Sequence, residues 1–135
     1  MGKSSATDRT RITEAIVAAE KGHRGEIVVH VELRCLDALK RAARLFGTLG
    51  VDRTKEHTGV LLYVASANRR AAVWAGTGVT AGDKLETWQP VFAALEGKPL
   101  VDGVCAAVAA IGKVLATHAA GADNHGNELA DGVSS

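Results

Sequence analysis

Apolar residues recur along this chain at two spacings, and the alternation between them predicts seven elements. Gly59-Val60-Leu61-Leu62-Tyr63-Val64-Ala65 is too short for a helix and apolar on both parities, which predicts a central strand covered on both faces. Ser66 to Arg70 supplies polar turn residues, and Ala71-Ala72-Val73-Trp74-Ala75 then returns as its antiparallel neighbour. Glu26 to Leu33 alternates, with Ile27, Val29, Val31 and Leu33 on one face and Glu26, Val28, His30 and Glu32 on the other. Helical spacing governs the rest. Ile12, Ile16 and Ala19 predict a first helix capped by Asp8 or Thr10 and stopped by Gly22. Arg34 to Leu49 predicts a second, with Leu36, Leu39, Ala43, Phe46 and Leu49 inward and Lys40, Arg41 and Arg44 in water. Asp83-Lys84-Leu85-Glu86 has capping-box spacing for a third, with Leu85, Trp88, Phe92 and Leu95 inward and a distortion or restart near Trp88 caused by Pro90. Pro99 opens a fourth, whose buried stripe runs Leu100, Val104, Ala107, Val108, Ile111, Leu115 and His118.

The order helix, strand, helix, strand, strand, helix, helix sets the architecture. A helix between the first two strands implies a parallel pair, which the hairpin extends. The expected fold is a three-layer α/β/α sandwich around a small mixed sheet. Residues 1–7 read as a loose tail, 8–120 as the domain and 121–135 as an acidic C-terminal tail, with Leu129 predicted to anchor that tail on the glycine-rich loop after the third strand.

Composition narrows the partners. Hydrophobic residues make up 47% of the 135, enough for a core, while aromatics are 4%, so the core is expected to be built of small side chains. A net charge of +1 argues against bulk electrostatic attraction to nucleic acid or membranes. The first half is basic and the second acidic. Cys35 and Cys105 fit no ligand or CxxC pattern and read as packed thiols of a reducing compartment. A polar N-terminus without an apolar run, and the interruptions at Asp102, Gly103, Gly112 and Lys113, lead us to expect a cytoplasmic protein without a membrane span, a monomer or weak dimer.

Candidate chemistry gathers around two polar stretches. Gly76, Thr77 and Gly78 open a loop in which three glycines fall within seven residues, a composition suited to positive φ, close backbone approach or an anion nest. Gly76 to Ala81 formally matches a GxGxxA dinucleotide fingerprint with Glu96 downstream, but the βαβ context that gives this pattern its meaning is missing. Asp52 to His57 puts a carboxylate, a hydroxyl and an imidazole at one edge of the sheet. His30 with Glu26 and Glu32 reads first as a partly solvated strand face with the imidazole tied to a carboxylate.

The sequence resembles the TPM domain family, which groups a plant thylakoid lumen protein, a photosystem II repair factor and many bacterial proteins. The resemblance rests on Ala15 to Glu32, Ala42 to Phe46 with Leu49-Gly50, Thr58 to Ala65, Gly76-x-Gly78-Val79, Asp102-Gly103, and Asn127 to Asp131. It implies the α/β/α fold, Ca or Mg binding at loops by one end of the sheet, and an acid phosphatase activity ascribed to the plant member. Asp83, Glu86 and Asp52, with Glu128 and Asp131 of the tail, are then the candidate cation ligands, and His57 and Asp83 the candidate catalytic groups. Thr77 stands where related short chains carry a carboxylate, and losing an anionic oxygen weakens a hard-cation site. Two functions follow: an accessory module that binds an unidentified protein partner, tuned by Ca or Mg, or a weak metal-assisted phosphomonoesterase.

Overall fold

A computed structural model describes residues 6–119 and the backbone of 132–134. The elements are α1 (Ala6–Ala19), β1 (Glu26–Glu32), α2 (Ala38–Thr48), a 3-10 turn (Val51–Arg53), β2 (Gly59–Ala65), β3 (Arg70–Ala75), α3 (Leu85–Leu95), α4 (Leu100–His118) and β4 (Gly132–Ser134). β1 and β2 are parallel, joined through α2, and β3 returns antiparallel to β2 in a register that sets Leu61 opposite Trp74. β4 runs parallel to β1, so the strand order is β3-β2-β1-β4. The expected α/β/α sandwich around a small mixed sheet is the observed fold.

Strand parity sorts the core into two halves. Ile27, Val29, Val31, Val60, Leu62, Val64 and Val73 face α1, α3 and α4, where Ile12, Ile16, Trp88, Val104, Val108 and Ile111 meet them. Leu61, Tyr63, Ala65 and Ala72 face α2 and meet Ala42, Leu45 and Phe46. β2 is buried at all seven positions, which explains its unbroken apolar run. α4 is long and apolar enough to cross a membrane by length and composition. Its stripe Val104-Ala107-Val108-Ile111-Leu115 is buried within the fold, and Gly112 lets it approach α1 at Ala19 closely.

Four local expectations change. α1 already begins by Ala6, so Asp8 lies in its first turn and Thr10 donates to the Ala6 carbonyl from inside the helix. α2 starts at Ala38, four residues later than the spacing suggested, because the Asp37 side chain accepts the Lys40 N–H at 3.1 Å and caps it. That cap turns Ala38, Ala42, Leu45 and Phe46 inward and leaves Leu36 and Leu39 exposed. Asp83 caps nothing: the N-cap of α3 is Lys84, without a side-chain bond. Pro90 sits inside an uninterrupted α3, on its exposed side. The tail's expected return to the glycine loop falls on residues outside those described.

Candidate functional site

The glycine loop is held by backbone. Gly76 N–H donates to the Gly59 carbonyl at 2.8 Å and Gly78 N–H to the His57 carbonyl at 2.7 Å, so the β2–β3 ladder continues past the end of the strands. A Cβ at Gly76 would overlap the His57 carbonyl oxygen, and one at Gly78 the Glu56 carbonyl oxygen. These glycines therefore serve close approach between two chain segments. Further along, Thr80 N–H donates to the His118 carbonyl at 3.0 Å, Thr87 Oγ1 to the Ala81 carbonyl and Trp88 Nε1 to the Gly82 carbonyl, both at 2.8 Å. His57 and Ala81 take positive φ at 56°, the strained points of this packing.

The candidate site residues share this end of the sheet without converging. His57, Thr77, Asp83, Glu86 and Asp52 are exposed, and the Asp52 carboxylate lies over Gly47 of α2. Among the described residues no three His, Cys, Asp or Glu side chains gather as a metal site would require. Asp52, Asp83 and Glu86 therefore do not by themselves assemble a Ca or Mg site among the described residues. The Gly78 N–H proposed for an anion nest already bonds His57, and Gly76 N–H bonds Gly59. Glu128 and Asp131 lie outside the described residues.

Sequence reasoning missed a cluster at the opposite end. Arg41, expected in water, closes on Glu32 from α2 with Nε to Oε1 at 3.1 Å and an Nη to Oε2 at 2.6 Å. Tyr63 donates its hydroxyl to Glu32 Oε1 at 2.7 Å, and His30 Nε2 lies 3.0 Å from Oε2. The His30 and Tyr63 rings stack with centroids 6.0 Å apart. Chiefly through the Arg41 bonds, the Glu32 carboxyl is held at about 2, and burial pushes the Tyr63 hydroxyl above its ordinary range. The link from His30 to a carboxylate was legible, whereas the strand face proved more enclosed than expected, with His30 buried. Both Glu32 oxygens are thus engaged from α2 and from the sheet, which suits a structural tie between the two.

Among the described residues, no strand pairs with the outer edge of β3. Since Gly76 and Gly78 bond toward β2, the antiparallel alternation points Ala72 and Trp74 backbone groups inward and those of Ala71, Val73 and Ala75 outward. The outer edge opens into a groove of about 980 Å³ lined by β3, the glycine loop, Leu39 of α2, and Leu85, Trp88 and Phe92 of α3. Leu39 is 57% exposed, Leu85 66% and Trp74 37%, so both lips are apolar. No proline or charge interrupts Ala71 to Ala75, the usual guards of a strand edge.

A TPM domain model matches residues 5–90. The fold is similar to the NMR structure of BA42 protein from Bizionia argentinensis, at 27% identity and a TM-score of 0.83 over 96% of this chain and 93% of that one. The N-terminal domain of cg2496 protein from Corynebacterium glutamicum shares the fold at 16% identity and a TM-score of 0.65, over 95% and 85%. No curated protein matches the chain. With the family model spanning more than half of the sequence, this chain belongs to the TPM domain family.

Proposed function

We propose that this TPM-domain protein is a binding module that accepts an extended polypeptide strand along the free edge of β3. The observation that carries the reading is the outward set of backbone donors and acceptors on Ala71, Val73 and Ala75, set at the floor of an apolar groove. Strand addition satisfies such groups by main-chain bonds, while pockets on alternate sides select the incoming side chains. Here Leu39 and Trp74 offer one apolar lip and Leu85, Trp88 and Phe92 the other. Ca or Mg binding and phosphomonoester hydrolysis come only from family resemblance. Asp52, Asp83 and Glu86 would each offer a single exposed carboxylate, so the binding reading contains no metal step.

Selection of linear peptides displayed on phage, followed by amide NMR titration with synthetic copies of the selected peptides, tests it. Shifts are expected at Ala71 to Ala75, Leu39 and Leu85, and Ala71→Pro, which removes an outward N–H at a position edge strands tolerate, should abolish them. Peptides that perturb only the glycine loop or the Glu32 cluster would overturn the reading.

A further inference from the structure

We infer that the strand this edge accepts is β3 of a second copy of the chain, paired antiparallel about a twofold axis through Val73; this rests on the strand-accepting reading above and names its partner. The geometry is self-complementary. An isologous contact must bring each patch against itself, and an antiparallel strand pair does so about its midpoint. Centring on Val73 sets Ala71 opposite Ala75 of the second copy, and these are the residues whose backbone groups point outward. All the outward groups of the strand are then matched, with none left over at either end.

Side chains follow the same symmetry. On the α2 face, Trp74 of one copy falls opposite Ala72 of the other, and the reverse, so each large ring meets a small neighbour instead of a second ring. On the other face Val73 meets Val73, flanked by alanines. Leu39 and Leu85, exposed on the two lips, add apolar surface beside the paired strands.

Charge gives independent support. β3 begins at Arg69-Arg70 and ends at the loop that leads to Asp83 and Glu86, with Lys84 between them. Antiparallel pairing carries the arginines of each copy toward the carboxylates of the other, with Arg70 opposite Gly76, where no Cβ obstructs its stem. Parallel addition would place arginines beside arginines. The basic-then-acidic order along this part of the chain thus selects the antiparallel arrangement, and steers encounter as well as orientation.

Sedimentation velocity on the full chain from about 10 μM to about 1 mM tests the assignment. A concentration-dependent dimer is expected, weakened by at least about tenfold in Trp74→Lys and in Ala71→Pro. Arg70→Glu should weaken it too, and Arg70→Glu with Asp83→Lys should recover part of the loss. If Ala71→Pro does not fold, Trp74→Lys and the charge pair still decide. A dimer indifferent to all of these variants overturns the inference, because another face then pairs. A chain monomeric throughout overturns it as well. In that case, a selected linear peptide that still shifts Ala71 to Ala75 would leave the strand-accepting reading standing with a different partner, whereas no such shift would remove both.

Discussion

The glycine loop and the β3 edge adjoin one another, and they invert what their sequences suggest. Gly76 to Gly82 has the composition of a site, with mobile-looking glycines, hydroxyls and nearby acids. Its amides are nonetheless engaged with Gly59, His57 and His118, and its glycines are packed against the carbonyls of Glu56 and His57. Ala71 to Ala75 has the composition of core. Its inner side belongs to the β2 ladder, but its outer side presents unshared backbone groups in an apolar groove. Binding capacity follows unsatisfied groups rather than polar composition. The Glu32 cluster teaches the same point from the other end, since both oxygens of its carboxylate are already engaged by Arg41, Tyr63 and His30.

The largest effect that could break this contrast is at Gly78. Gly78→Ala is expected to cost more than about 4 kcal/mol in denaturant unfolding, because the new Cβ meets backbone that cannot move aside. Gly97→Ala, at φ 72° with open space around it, should cost only about 1 to 2 kcal/mol from strain. Equal losses would mean that the loop is not packed as described. Next, Arg41→Ala should cost about 2 kcal/mol at neutral pH by leaving the Glu32 carboxylate without its main partner, with carboxyl NMR showing Glu32 rising well above about 2.

Acid titration sharpens the same point. Glu32 titrates lower in the fold than the ordinary value of 4.5, so its stabilisation is complete above that pH and is lost as pH falls toward about 2. Thermal melts should show this as a steepening acid limb worth on the order of 2 kcal/mol, flattened in Arg41→Ala. The smallest expected change in stability is Trp74→Lys, within about 1 kcal/mol of the parent because the ring is part exposed, even though strand pairing is lost. A large destabilisation there would mark Trp74 as core rather than edge.

β1, β2 and β3, their pairing and the layer architecture were legible because they depend on local period, on the helical crossover and on the short β2–β3 connection, whereas β4 lies in a polar stretch that reads as tail. The inward face of α2 was misread: Leu36 and Leu39 dominate by hydrophobicity, yet the Asp37 cap sets where the helix begins and hence which face is buried. The tie among Glu32, Arg41 and Tyr63 was hidden since it depends on register, with His30 level with Tyr63, and on that same rotation of α2. For the glycine loop the cluster was visible but its neighbour was not, because Glu56 and His57 lie some twenty residues earlier and only the ladder brings them across. The β3 edge, by contrast, had a signal that went unused. Once β2 pairs with β1 on one side and β3 on the other, β3 has no strand on its far side among the described residues, and no proline or charge in Ala71 to Ala75 guards it.

Amide hydrogen exchange along β3, followed as the protein is concentrated, reads out whether this edge is open in the single chain and closed between copies. Ala72 and Trp74, bonded to β2, should be protected at every concentration, whereas Ala71, Val73 and Ala75 should exchange fast when dilute and gain protection as copies pair. Protection of all five amides at the lowest concentration would contradict the account, because the edge would then already be covered within a single chain.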